Sequence, residues 1–208
     1  MFLRQSAVVA SVIIYWGGVM LNARRIRNRI GKSPNLTPHN VKERMLWLSW
    51  FIVISGWAGQ PFIMYFGVKS GLLSFIGLFK YSASAYVGIA LAVCGYAGTL
   101  WCYQAMGTAW RIGVDKNERT NLIQNGPYRL IRHPIYLFQS IILLGIICLL
   151  PTLFSIFIFC IHFAAVLFKA NDEEIYLADV YGADFHAYCL KTGRFLPRLS
   201  SLAHSIHT

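Results

Sequence analysis

Four long stretches of this chain carry no charged side chain: Gln5 to Ala23 (19 residues), Met45 to Val68 (24), Tyr81 to Trp110 (30) and Pro134 to Phe168 (35). About 20 apolar residues cross the hydrocarbon core of a bilayer, so the first two stretches predict single spans and the third one span with residues to spare. The fourth is too long for one crossing and carries Pro151 at its midpoint, with 17 residues on either side. It predicts a tight hairpin of two short spans. The expected fold class is therefore all-α: an integral membrane protein with about five transmembrane helices, the last two a short hairpin, followed by a cytoplasmic C-terminal helix and tail. Residues 1–106 hold three spans, and residues 107–208 a polar loop, the hairpin and the tail.

Finer pattern adds two local expectations. Ser84, Gly88 and Ala92 recur every fourth residue of the third span, a small-residue face that lets two helices approach closely. Between Lys69 and Lys80 the segment S-G-L-L-S-F-I-G-L-F is too short to cross and predicts an element lying along the far interface.

Composition agrees with a bilayer: 56% of residues are hydrophobic and 13% charged, where a soluble domain needs roughly 25% charged residues to cover its surface. None of the cysteines forms a C-x-x-C pair, and Cys94, Cys102, Cys148 and Cys160 fall in apolar runs, so neither a disulfide framework nor a metal site is indicated. The net charge of +11 would suggest nucleic acid in a soluble protein. Its distribution argues otherwise. With five spans, only Arg4, Lys69 and Lys80 fall on one side, while every other Lys and Arg and all eight acidic residues fall on the opposite side. The positive-inside rule then puts the C-terminus in the cytoplasm and the N-terminus outside, and accounts for the charge without nucleic acid. A cleaved signal peptide is not expected, because Arg4 is the lone leading charge and Ala23 is followed by Arg24, Arg25, Arg27 and Arg29.

Polar groups are dense only in Gly107 to Tyr136 and Lys169 to Pro197. Neither holds a glycine-rich phosphate loop, a zinc-protease helix or a serine-hydrolase elbow, so the chemistry must come from another constellation. The run N-G-P-Y-R-L-I-R-H-P-I-Y (Asn125 to Tyr136) places a turn ahead of Arg132 and His133, with Pro134 suited to the first turn of the fourth span. Arg132 and His133 then stand beside a helix N-terminus, which favours an anionic group, and Tyr136 can face the same pocket. Taken alone, such residues also serve as interfacial anchors. Asp172, Glu173 and Glu174 follow the fifth span, where they form either an ion-pair network with Arg132 and His133 or a site for a cationic ligand. The tail K-T-G-R-F-L-P-R-L (Lys191 to Leu199) is an interfacial anchor or a lid.

Together, G-T-A-W-R-I-G-V-D-K-N-E-R-T-N-L-I-Q-N-G-P-Y-R-L-I-R-H-P-I-Y, the E-E pair about forty residues on, and Y-G-A-D-F-H-A-Y-C-L-K-T-G-R-F-L-P resemble the isoprenylcysteine carboxyl methyltransferase family and its relatives among membrane phospholipid methyltransferases. The likeness covers roughly Gly107 to Pro197. It implies that residues 107–208 are a methyltransferase core using S-adenosylmethionine, bound at the cytoplasmic face and covered by the tail. By position, His133, Pro134, Tyr136, Glu173, Tyr188, Arg194 and Pro197 would bind the cofactor, Arg132, Glu173, Glu174 and Arg194 would carry catalysis, and Trp110 would open the polar loop. Phe138 and Phe185 stand where relatives often have glycine and tyrosine, with consequences for access and for cofactor contacts.

Methyl transfer from a sulfonium is an in-line displacement that requires alignment and favourable electrostatics, with no metal or covalent nucleophile. A carboxylate acceptor needs a cation such as Arg132 or Arg194. An amine or thiol acceptor must lose a proton, with Glu174 or His133 as base. Both acceptor classes stay open on sequence. A site against several membrane helices favours a lipid-like or prenylated acceptor among membrane lipids. The rival readings are an NADPH-dependent membrane reductase of sterol-type substrates, which would need further basic residues near the motif, and a non-enzymatic membrane scaffold.

Overall fold

The computed structural model describes residues 2–31, 40–66, 71–76, 82–110 and 122–198. Its helices are α1 (Phe2–Ile30), α2 (Val41–Tyr65), α3 (Ser82–Met106), α4 (Pro134–Leu149), α5 (Leu153–Tyr181) and α6 (Ala183–Lys191). Among the described residues β pairing is limited to isolated bridges, Phe75 with Thr152 and Ile131 with Gly193. α1, α2, α5 and the helical stretch 83–109 are long and apolar enough to cross a membrane, and α4 is a shorter apolar helix. At 16 residues α4 rises about 24 Å, short of the roughly 30 Å hydrocarbon core. The chain is thus an all-helical integral membrane protein, with large hydrophobic side chains such as Ile13, Met20, Phe51, Phe62, Tyr86 and Phe157 exposed on its outer surface.

The hairpin turns where Pro151 predicted, between Leu149 and Leu153. Thr152 caps α5 by accepting a hydrogen bond from the Ser155 amide (3.0 Å). α5 does not stop where the uncharged run ends at Phe168: the same helix continues to Tyr181 before Gly182, at φ +51°, breaks it from α6. Glu173 and Glu174 therefore stand on the same rigid helix as the apolar run.

α3 and α4 pack backbone to backbone. A Cβ on Gly88 would meet the Gly145 carbonyl oxygen at 2.7 Å, one on Gly145 would meet the Gly88 carbonyl at the same distance, and one on Gly95 would meet the Phe138 carbonyl at 2.6 Å. The small-residue face read from the sequence is this contact, extended by Gly95. Phe138 packs its ring into the gap above Gly98 of α3, so its bulk seals the α3–α4 seam.

Polar groups far from α6 are bonded to each other. Arg4, only 8% exposed, donates to the carbonyls of Cys148 and Leu149 (both 3.0 Å) and to Ser84 (2.9 Å). It caps the C-terminus of α4, a role that its position as a lone leading charge did not reveal. Gln60 donates to Thr152 (2.7 Å) and accepts from Ser155 (3.0 Å), while the Ile76 amide donates to the Pro151 carbonyl (2.8 Å). The described part of the Lys69–Lys80 segment therefore clasps the hairpin turn. The predicted lie of the rest falls outside the described residues.

Gly88→Ala should destabilise the protein by about 1–3 kcal/mol through overpacking against α4. Gly59→Ala, with nothing within 4 Å of the new methyl, should be neutral or slightly stabilising. Thermal unfolding of both variants in detergent checks this, and equal melting temperatures would refute the close α3–α4 contact.

Candidate active site

Pro134 occupies the first turn of α4, with His133 as the N-cap residue and a 3-10 turn (Gly126–Arg129) leading in. The tail is stitched to this entry. The Arg132 amide donates to the Gly193 carbonyl (2.8 Å), the Gly193 amide to the Leu130 carbonyl (3.2 Å) and the His133 amide to the Arg194 carbonyl (3.1 Å). Gly193 is required sterically, since a Cβ there would lie 1.6 Å from the Leu196 carbonyl oxygen. Tyr188 adds a further tie, donating its hydroxyl to the Tyr128 carbonyl (2.7 Å).

Side chains from α4, α5 and the tail meet around His133. Its Nδ1 lies 3.4 Å from Glu173 and its Nε2 3.2 Å from Glu174. The Tyr136 hydroxyl donates to Glu173 (2.7 Å), and Lys169, one turn back on α5, lies 3.9 Å from the same carboxylate. Arg132 donates from Nε to Glu174 (2.9 Å) and from Nη1 to the Thr192 carbonyl (2.7 Å), which ties the acid to the tail. Tyr136 stacks on His133 at 5.6 Å, and Phe195 covers the imidazole from another side at 5.9 Å. Arg194 approaches Glu174 at 3.4 Å, yet its Nε and Nη2 are buried without a hydrogen-bond partner.

Burial opposes protonation of His133, but its hydrogen bonds to Glu173 and Glu174 and their negative charges outweigh that, so its pKa rises above the ordinary 6.5. Burial likewise favours neutral Glu173, and the hydrogen bond and charge of His133, then Lys169 and Tyr136, bring its pKa below the usual carboxylate range. For Glu174 the same opposition by burial is overcome by His133 and Arg132, and the pKa falls to about 2. His133 is thus a buried imidazole whose two ring nitrogens face two carboxylates, an arrangement that favours its protonated form.

Arg132, His133, Pro134, Tyr136, Glu173, Glu174 and Arg194 thus come together. Asp172 does not join them: about 100° round the helix from Glu173, it pairs with Lys42 at the start of α2. Pro197 lies half-buried near the end of the described tail, and Phe185 is buried beside Tyr188 at 6.3 Å. Trp110 is buried edge-on against Tyr103 at 5.3 Å, while residues 111–121 of the polar loop lie outside the described residues. Sequence reasoning overlooked Lys169 and Thr192. The first was legible as an i, i+4 partner of Glu173. Thr192 contributes only a backbone carbonyl, which no residue type announces.

The pH dependence of stability follows with opposite signs. The raised pKa of His133 gives a contribution fully present below its ordinary 6.5 and lost as pH climbs through the folded value. The lowered pKa of Glu174 gives one present above the ordinary 4.5 and lost as pH falls towards about 2. Melting temperature in detergent should therefore fall on both flanks, and His133→Gln should flatten the alkaline flank. An unchanged alkaline flank would mean that His133 is not charged in the fold. Gly193→Ala should detach the tail, seen as faster tryptic cleavage after Lys191 or Arg194 with helical content retained.

Residues 83–184 match the phospholipid methyltransferase family, a span from the start of α3 to the start of α6 that takes in every site residue except Tyr188 of α6 and those of the tail. Among curated proteins, the cobalt-zinc-cadmium resistance protein CzcN of Cupriavidus metallidurans is 28% identical over 116 residues, 55% of this chain and 48% of that protein. The nickel-cobalt-cadmium resistance protein NccN of Alcaligenes xylosoxydans xylosoxydans is 25% identical over 114 residues, 55% of this chain and 50% of that protein. The matched stretch spans about half the length of these relatives. With α3 to α5 carrying both the family match and the His133–Glu173–Glu174 cluster, residues 83–184 form a domain of the phospholipid methyltransferase family, a family of membrane methyltransferases.

Proposed function

We propose that the protein is an S-adenosylmethionine-dependent methyltransferase acting at the cytoplasmic membrane face on the carboxylate of an amphiphile, of the prenylated-cysteine kind or a similar lipid. The supporting observation is Arg194, whose Nε pairs with Glu174 at 3.4 Å while its Nη2 is buried without a hydrogen-bond partner. A ligand that is both anion and cation fits there. Arg194 would hold the carboxylate of the methionyl part, and Glu173 and Glu174 would face its ammonium and sulfonium charges. Bound S-adenosylmethionine supplies a methyl group on a sulfonium, open to in-line displacement.

The protein's own groups orient and exclude water. His133 holds both carboxylates in place, Tyr136 fixes Glu173, and Phe195 with the rest of the tail covers the cluster. Arg132, spent on Glu174 and the Thr192 carbonyl, acts as a positioning residue. Pro134 starts the helix that carries Tyr136, and Tyr188 and Pro197 serve the docking of the tail.

Protonation states favour the carboxylate acceptor. Both ring nitrogens of His133 are engaged with Glu173 and Glu174, and the lowered pKa values of the two glutamates make them weaker bases than ordinary carboxylates. An amine or thiol would need a base; a carboxylate arrives ionised. Metal resistance is named for two relatives of which the matched stretch covers about half, and it is said of those proteins alone.

Titration of the purified protein in detergent should show saturable binding of S-adenosylmethionine and none of NADPH. Glu173→Gln and Arg194→Gln should each weaken that binding by about 1–3 kcal/mol. Preference for NADPH, or unchanged affinity in both variants, would overturn the assignment. Reporter fusions should place the C-terminus in the cytoplasm, and a C-terminus outside would reverse the proposed face.

A further inference from the structure

α1 presents two unlike faces. Val8, Tyr15, Val19 and Ile26 recur along one side and are buried against the bundle. On the opposite side Ile13, Ile14, Met20 and Leu21 are exposed, and at about 100° per residue they fall within an arc of roughly 120°. The uncharged run ends at Ala23, and exposed arginines follow at once. Arg24 stands on the same arc, while Arg25 and Arg27 lie about 20° outside its two edges. Arg24 is thus one turn beyond Met20, Arg25 one turn beyond Leu21 and Arg27 two turns beyond Met20.

Arg4, at the start of α1, bonds the carbonyls at the end of α4, so the two helices run in opposite directions and these arginines stand at the membrane edge where α4 begins. Several cations of that edge are matched: Arg132 and Arg194 by Glu174, Lys169 by Glu173, and Lys42 by Asp172. The side chains of Arg24, Arg25 and Arg27 have no ion pair or hydrogen bond among the described residues. Arg24 and Arg27, three residues apart, are neighbours of like charge on one face, an unfavourable arrangement that an anion between them would relieve. The carbonyl end of α1 offsets part of this repulsion. It does not explain why the cations continue an exposed apolar stripe.

We propose that this stripe is a binding site for an anionic glycerophospholipid. Its phosphate sits between Arg24 and Arg27 with Arg25 at the edge, and an acyl chain lies along Leu21, Met20, Ile14 and Ile13. Guanidinium forks suit phosphate oxygens. Ile13 lies roughly 16 Å from Arg24 along the helix axis, about half the thickness of the hydrocarbon core and so the depth that one leaflet's chains fill. A zwitterionic lipid would bring its own cation into a cluster without a carboxylate, and a soluble phosphate would leave the apolar stripe uncovered. The site stands on its own geometry and does not depend on the methyl-transfer chemistry.

Native mass spectrometry of the full chain in detergent reads lipid binding directly. Titration with dioleoylphosphatidylglycerol should give a lipid adduct at about tenfold lower concentration than dioleoylphosphatidylcholine, whose chains are identical. In Arg24→Gln and in Arg27→Gln this ratio should shrink to about threefold, and in the double variant it should vanish. The control pair Arg129→Gln with Lys191→Gln, which removes exposed cations elsewhere on the same membrane side, should keep the full ratio. Equal binding of the two lipids by the unaltered protein, an undiminished ratio in the double variant, or an equal loss in the control pair would overturn the proposal. So would displacement of the bound lipid by an equal concentration of glycerophosphoglycerol, which carries the phosphate without the chains. If the double variant fails to fold, the single variants decide. S-adenosylmethionine binding should persist in every variant, which separates a failure here from a failure of the methyltransferase assignment.

Discussion

Keeping charge out of water is the constraint on which this protein's organisation depends. Placing His133 at the edge of the bilayer is costly unless its charged form is matched, and two carboxylates match it at 3.2 and 3.4 Å. Those carboxylates must be presented by a rigid element, which is why α5 continues unbroken from the membrane to Tyr181. They must also be balanced by further cations, and Arg132, Lys169 and Arg194 arrive from α4's entry, α5 and the tail. The tail's place follows from the charge cluster, since the bond from Arg132 to the Thr192 carbonyl and the backbone ties through Gly193 use the same few residues.

The same constraint shapes the opposite end of the bundle by different means. There the α4–α5 turn exposes carbonyl groups at the end of α4, and one buried arginine on α1 satisfies them. Gln60 and Ser155 complete the turn around Thr152. Anchored at one end by Arg4 and at the other by the His133 cluster, the hairpin has little freedom to slide against α3. The glycine contacts at 88, 95 and 145 reinforce this, because a backbone-to-backbone seam tolerates no change of register.

Close approach on one side of α4 leaves room on the other. Where α3 meets α4 through glycines, α1 and α2 meet α4 and α5 through Tyr15, Trp16, Trp50 and Trp57, side chains too large and too rigid to close every gap. The cleft that results is lined by residues whose polar atoms are only partly matched.

Much of the molecule was legible in its sequence because the membrane imposes a one-dimensional rule. Spans, the Pro151 turn and the small-residue face on the third span are set by local composition and by what hydrocarbon allows. The R-H-P-x-Y run and the E-E pair could be recognised as one constellation because their residue types are scarce in so apolar a chain. Tertiary structure alone decided how those groups divide the work. Three consecutive acids looked equivalent, yet the helical turn sends Asp172 to Lys42 and leaves Glu173 and Glu174 on His133. Arg4 stood in the sequence only as a lone leading charge and proves to cap α4, a contact 145 residues away in the chain. The raised pKa of His133, the buried Nη2 of Arg194 and the cleft beside Gln139 likewise depend on distances between distant segments, which no local pattern encodes.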